Sequence, residues 1–291
     1  MTLFPENWAD TFREFVARKE QAAKEAAIPG FTTRFDRSHE FELRKIGNDW
    51  SVQCFDGFFY FSVPKDSSLP LVNTVFVQSK DGNTGAANPA SLGGGKTDLY
   101  LIYEGLSRAA ADAVLVGANT LRGSGIVLSV WHTEMIKLRR SLGKPRHPAQ
   151  VVATGSGKLN METELVFNVP EIAVFVLTTQ SGSGLLAQSA KPRPWITVLE
   201  TGQHLNPKKG FEILKRDFGI DTVSVIGGRT LTSTLIDDGL VQDLYLTTST
   251  KAGGQPNTPY YVGRKELSKR LVLRKEGKKE ESGVLFEHFV Y

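Results

Sequence analysis

The pattern of apolar and polar positions changes character near residue 70. Before it, Trp8, Phe12, Phe15, Val16 and Lys19 recur at helical spacing with charges between them. This predicts an amphipathic helix over residues 6–26, opened by Pro5 and stopped by Pro29-Gly30. The apolar run from Val52 to Val63 predicts a β-hairpin turning at Asp56-Gly57, and Pro64 to Pro70 reads as a linker. From residue 71 short apolar runs alternate with helical ones. Strands are predicted at 71–77, 112–117, 150–153, 172–177, 195–199, 222–226 and 244–248, and helices at 97–111, 207–218 and from 229 to about 238. Two last strands, 271–274 and 284–290, have no helix between them and predict an antiparallel pair at the sheet edge. The rhythm is that of an α/β fold with a mainly parallel central sheet and helices on both faces. It divides the chain into an extension, 1–70, and a main domain, 71–291.

Composition narrows the class. The chain has 291 residues, 40% apolar and 23% charged, which suits one large domain or a smaller one with an extension. No apolar run is long enough to span a membrane, and the first residues lack the basic start and apolar run of a signal peptide, so a cytoplasmic location is expected. The single cysteine, Cys54, excludes an intrachain disulfide, fits a reducing compartment and reads as a small core residue. The net charge of +4 is a mild excess lying downstream of residue 70, since residues 1–70 hold 9 basic and 11 acidic side chains. The densest basic stretch, 264–279, is broken by Glu266 and Glu276 and reads as a solvated surface, so no nucleic-acid partner is expected. The histidines, His39, His132, His147, His204 and His288, are scattered, and no metal site is expected.

Three segments carry candidate chemistry. At 222–231 a buried strand runs into Gly227-Gly228 and then a helix. Glycines admit a ligand close to the backbone, and the helix start offers free N–H groups at the positive end of its dipole. The pattern fits a phosphate site, and equally a tight strand–helix turn that binds nothing. The run 114–123 is a second strand ending in Gly117 and small polar residues, with Arg122 beyond. Ser79-Lys80-Asp81-Gly82 follows the first strand of the main domain, so all three fall at the strand ends where open α/β sheets bind ligands. Gly95-Lys96-Thr97 imitates the end of a P-loop, but Ala90 stands at the earlier glycine and Pro89 breaks the preceding segment; no nucleophile elbow occurs.

These segments also carry a resemblance. Ser79-Lys80-Asp81-Gly82, Ser91-Leu92-Gly93-Gly94, the run Ala110–Arg122 and the run Val225–Leu231 resemble, in order and spacing, the reductase domain of bacterial riboflavin biosynthesis. That domain is the pyrimidine-reductase branch of the dihydrofolate-reductase-like superfamily. The resemblance covers Leu71 to Tyr291. It implies a homodimer that binds NADPH and transfers hydride to a small-molecule substrate. The Gly227-Gly228-Arg229-Thr230-Leu231 turn would cradle the cofactor phosphates, Gly117, Asn119, Thr120, Leu121 and Arg122 would lie against the cofactor, and Thr154 and Thr178 would line the nucleotide. Arg122 and Arg229 favour a 2′-phosphate partner and hence NADPH over NADH. Ser79, Ile226 and Trp131 fall on the substrate side, and Asp81 is the acidic group placed to orient the substrate or donate a proton through water. The substrate side departs from the family. Val75 stands for a lysine and Ile226 for a glutamate, while Ser124 and Trp131 replace an acidic residue and an arginine by register. These losses leave the substrate open among the ribosylamino-pyrimidine phosphate, a pterin or folate-like ring and another small carbonyl or imine. A non-catalytic NADPH-binding or regulatory protein on the same fold is the alternative.

Overall fold

The computed structural model describes residues 7–86, 89–121, 125–226, 228–254 and 267–291. Its centre is a ten-stranded sheet. The strands are β1 (Phe31–Asp36), β4 (Leu71–Gln78), β5 (Ala113–Gly117), β6 (Ala149–Thr154), β7 (Val174–Thr178), β8 (Ile196–Glu200), β9 (Thr222–Val225), β10 (Asp243–Thr248), β11 (Leu271–Gly277) and β12 (Leu285–Val290). They lie in the order β1-β11-β12-β10-β4-β9-β5-β6-β7-β8, while β2 (Leu43–Ile46) and β3 (Phe59–Ser62) form a separate antiparallel pair. The strands from β10 to β8 run parallel, and β12, β11 and β1 are added antiparallel. This is the α/β fold the strand–helix alternation predicts.

Both faces are covered because the central strands are apolar on both sides. On one face Leu115, Val151, Leu177 and Val225 pack with Phe211 and Leu214 of α8 (Pro207–Phe218) and Leu235 and Ile236 of α9 (Arg229–Asp237). On the other, Val114, Val116, Val152 and Val176 pack with Leu186 of α7 (Gln180–Ala190) and with Leu121 of the short α5 (Ala118–Leu121). Farther along that face, Val75 and Tyr245 pack with Leu101, Ile102 and Leu106 and with Met135 and Leu138 of α6 (Thr133–Ser141). The helix expected over 97–111 is present but unusual. A turn, α3 (Gly95–Thr97), leads into a π-helix, Asp98–Leu106, and then α4 (Ser107–Ala109). Gly105 leaves helical geometry there, and a Cβ on it would stand 2.5 Å from the Tyr100 carbonyl oxygen.

The extension differs from its prediction in two ways. Helix α1 (Asn7–Glu25) forms as expected and buries Phe12, Phe15 and Ala23 against Tyr100, Val127, Trp131 and Leu165; each phenylalanine contributes about 1.5–3 kcal/mol. The hairpin at 52–63 does not form. Residues 49–55 are helix α2 (Asp49–Phe55), because Asn48 and Ser51 make a capping box and Asp56 closes the helix in the left-handed conformation at φ 59°. Strand β3 pairs with β2 across that helix instead. Strand β1 in turn pairs with β11, so the C-terminal pair is not the sheet edge. Lys275 of β11 clamps this junction. Its Nζ donates to Thr33 Oγ1 at 2.7 Å and to the Asp56 carbonyl at 2.9 Å, and burial pushes its pKa down to about 8.

Candidate functional site

The chain passes from β4 to β5, moves outward through β6, β7 and β8, and returns as β9 between β4 and β5. This reversal opens a crevice at the carboxyl ends of β4, β9 and β5, where open α/β sheets take ligands. The predicted glycines sit on its two sides. Gly117 ends β5 and Gly228 is the N-cap of α9. A Cβ on Gly117 would meet Leu231 at 4.0 Å, and one on Gly228 would meet Thr120 Oγ1 at 4.0 Å, so the starts of α5 and α9 face each other. Gly228 offers no side-chain cap, and no side chain among the described residues takes the first amides of the nine-residue α9, an arrangement that suits an anion. Asn119, Thr120, Gly228 and Thr230 are exposed around this opening, with Leu231 half-buried between the helices. Arg122, Gly227 and Ser124 lie outside the described residues, as does the side chain of Arg229.

The ends of β6 and β7 form the adjoining wall. Thr154 Oγ1 accepts from the Gly157 amide at 3.2 Å, and Thr179 caps α7 while donating to the Gly155 carbonyl at 2.9 Å. The two loops interlock. A Cβ on Gly157 would lie 2.5 Å from the Gly182 carbonyl oxygen, and one on Gly182 would lie 2.1 Å from Thr178 Oγ1. Thr154 and Thr178 are both buried and shape this wall through their contacts with the Gly157 and Gly182 turns. Between α5 and the strand-end loop lies a cleft of about 540 Å³, lined by Ala118, Leu121, Lys158, Leu159, Asn160, Glu164 and Phe167. Lys158 is exposed on its rim. It is the cationic residue the sequence reading passed over, and its signal was its place four residues past the end of β6 in a glycine-rich turn.

The substrate-side residues fare differently. Ser79 is buried, its hydroxyl accepting from the Asn83 amide at 3.3 Å, and Asp81 is exposed with Oδ2 accepting from the Gly253 amide at 3.0 Å. The Lys80 amide also donates to the Lys251 carbonyl, so this turn binds the loop after β10. Ile226 stands at the end of β9, but its side chain packs in the core with Val116, Ala118 and Leu121. Val75 is likewise a core residue, so both apolar replacements are buried. Trp131 requires a correction. It is 1% exposed, packed edge-on against Phe15 at 5.4 Å, and its ring lies 5.8 Å from that of His147. His147 immediately precedes β6, so Trp131 belongs to the amino end of the parallel strands, opposite the crevice. The simple register that put it on the substrate side runs across an irregular stretch. The Cys54 thiol is half-buried and burial raises its pKa, consistent with a packing role. Among the described residues no group of side chains fits a metal ion, and no helix is long and apolar enough to cross a membrane.

Comparison with known proteins agrees with this fold. The RibD C-terminal domain family matches residues 70–283. No curated protein sequence matches. Among solved structures, a pyrimidine reductase-like protein from Corynebacterium diphtheriae superposes with a TM-score of 0.60 at 20% identity, covering 78% of this chain and 94% of that one. The riboflavin biosynthesis reductase of Saccharomyces cerevisiae gives 0.53 at 18%, covering 79% and 93%. A bifunctional diaminohydroxyphosphoribosylaminopyrimidine deaminase/5-amino-6-(5-phosphoribosylamino)uracil reductase from Thermotoga maritima gives 0.54 at 20%; the match covers 77% of this chain but 57% of that longer one. At these identities the superpositions establish a shared fold. The match over residues 70–283 establishes more: the chain belongs to the family of the RibD C-terminal domain.

Proposed function

We propose that the chain is an NADPH-dependent reductase acting on a small heterocyclic, carbonyl or imine substrate. The ribosylamino-pyrimidine phosphate of riboflavin biosynthesis is the first candidate, because this chain's relatives include reductases of that route. The observation that carries the proposal is the uncapped start of α9 facing α5 across the crevice. Bare Cα positions at Gly117 and Gly228, the free amides of α9 and the exposed Asn119, Thr120, Thr230 and Lys158 fit an anionic dinucleotide. When bound, such a cofactor supplies hydride from its nicotinamide ring. The chain's own work is to hold and orient. The amides of α9 grip the diphosphate, Lys158 adds charge, and the interlocked Thr154–Gly157 and Thr178–Gly182 turns form a rigid wall. Asp81 sits on the β4 side, where it orients the turn that faces the substrate. The reading includes a homodimer, which sedimentation of the full chain tests.

The test is NADPH oxidation by the purified chain, followed by loss of nicotinamide absorbance. The ribosylamino-pyrimidine phosphate, dihydropterins and a set of small carbonyl compounds are offered in turn. Turnover with one class supports the reductase and names its substrate. NADPH binding with no turnover on any class would overturn the enzymatic reading and leave a non-catalytic dinucleotide-binding protein.

A further inference from the structure

On the β4 side of the crevice lies a buried polar cluster with no part in holding the cofactor. It belongs to the π-helix. In an ordinary α-helix residues three and four apart share a face, but the wider π turn brings residues five apart together. Asp98 and Tyr103 follow that spacing within the π-helix, and Arg108 of α4 reaches Tyr103 across the break at Gly105. Asp98 is 7% exposed and Arg108 fully buried, with the guanidinium carbon 4.4 Å from the centroid of the Tyr103 ring. Asp98, Glu104 and Arg108 all act electrostatically on the Tyr103 phenol. Glu104 is 7% exposed, and its Oε1 accepts from Lys19 of α1 at 2.6 Å. Lys19 is about a third exposed and brings the cluster to the surface.

Two features make this more than a buried ion-pair network. Asp98 Oδ1, Glu104 Oε2, and Nε and Nη2 of Arg108 are buried with no hydrogen-bond partner among the described residues. Buried polar atoms left without a partner are costly, and in folded proteins such atoms are served by water or by a functional partner. The inner end of the cluster reaches the strand ends that border the crevice. Asp98 lies over the carboxyl ends of β4 and β10. A Cβ on Gly94 would stand 2.7 Å from Asp98 Oδ2 and 2.9 Å from Val77, and Thr247, paired with Val77, is its neighbour on β10. Gly93 and Gly95, at φ 89° and 84°, let the chain fold closely over it, with Lys251 and Glu281 the next side chains outward.

We propose that Asp98 holds the proton consumed in the reduction, and that Tyr103, Glu104 and Lys19 form the hydrated route that restores it from the surface. The inference rests on the reductase reading. Hydride leaves the reduced dinucleotide for the acceptor carbon, and the oxygen or nitrogen of the same group takes a proton. That proton leaves the Asp98 carboxyl through water beside the Thr247 hydroxyl. The carboxylate regains one along the route, so each turnover takes one proton from solvent. Burial raises the Asp98 pKa to about 7, with the carboxylate of Glu281 adding to the rise and the Thr247 hydroxyl opposing it. A carboxyl so placed is both protonated and able to ionise at neutral pH. Asp98 acts through water and is a positioning and proton-holding residue. The N-terminal helix thereby gains a role beyond packing.

The experiment has two arms. In the first, carboxyl carbon NMR follows the full chain across pH without cofactor or substrate. One aspartate titrating near neutral pH in the wild type, absent in Asp98→Asn, is expected. An Asp98 signal titrating in the ordinary carboxylate range overturns the proposal whether or not the chain is a reductase. In the second arm, NADPH turnover is measured against pH. Wild-type kcat falls as pH rises through about 7, Asp98→Asn loses that dependence, and Tyr103→Phe and Lys19→Met keep it while showing a larger solvent deuterium effect on kcat. An unchanged pH profile in Asp98→Asn, or solvent effects in Tyr103→Phe and Lys19→Met equal to wild type, contradicts the route. Absence of turnover in the wild type sinks the reductase reading, and with it the assignment of the proton, while the first arm still reports the carboxyl.

Discussion

Replacing Gly228 with aspartate isolates the claim that α9 holds an anionic cofactor. The site tolerates the side chain. Gly228 has φ −64°, an ordinary value for any residue, and among the described residues a Cβ there meets nothing nearer than Thr120 Oγ1 at 4.0 Å. Aspartate is also a favourable N-cap, so α9 should gain roughly a few tenths of a kcal/mol over glycine. Binding should suffer for the same reasons. The new carboxylate takes the amides that the diphosphate needs and places a negative charge beside it. At a separation of about 5 Å, repulsion per phosphate charge runs from about 0.8 kcal/mol in bulk water to about 3 kcal/mol at an effective dielectric of about 20. Two charges therefore give at least about 1.6 kcal/mol, and the lost amide contacts add roughly 1 kcal/mol more. The sum corresponds to a rise in Kd of at least about 50-fold. Fluorescence titration with NADPH measures it, with thermal unfolding as the control for folding. Gly228→Ala should shift Kd less than about 3-fold, since it removes no amide and adds no charge. Wild-type affinity in Gly228→Asp, in a variant as stable as the parent, would refute the assignment of α9 as the phosphate cradle.

Other consequences follow from the same geometry. Lys158→Ala, on the rim of the cleft, should weaken NADPH more than NADH, and the difference should shrink at high salt as screening replaces the lost charge; titrations at two ionic strengths check this. Trp131→Ala should cost about 3–5 kcal/mol of stability in chemical denaturation and leave the Kd for NADPH unchanged where the protein remains folded, because the ring packs under α1 at the amino end of the strands. His147 gives a pH signature. Burial first, then Arg146 and Arg139, push its pKa down to about 3. The unfolded chain therefore binds a proton that the folded chain refuses between pH 6.5 and about 3, and stability is lost as pH falls through that window. His147→Gln should flatten that acid loss by a few kcal/mol in denaturation curves taken from pH 7 to 4.

Much of this was legible along the chain, and the reasons differ by element. The parallel strands announce themselves because both faces are buried: Val114, Leu115 and Val116 are apolar in succession, as are Val174 to Leu177. Helix α1 shows through the spacing of Phe12 and Phe15, and the ligand edge through glycines set at strand ends. The failures are equally physical. Residues 49–55 are rich in residues that favour strands, and the helix there rests on the short-range bond between Asn48 and Ser51, which outweighs propensity. Strand β1 is an edge strand whose outer half is exposed, so it lacks a long apolar run. The relation of Asp98 to Tyr103 escapes a reading at 3.6-residue period because it runs through a π turn, and that of Tyr103 to Arg108 because it crosses the break at Gly105. Trp131 misled because counting residues from Gly117 assumes a regular path, and the chain instead carries the indole to the far end of the sheet.

The measurement that bears most directly on the central claim is equilibrium titration of the full-length chain with NADPH and, in parallel, NADH, following nicotinamide fluorescence. A crevice built as described predicts saturable NADPH binding in the micromolar range, with NADH weaker. Failure of both nucleotides to bind would mean that the family fold persists here without its cofactor site, and would contradict the reductase account.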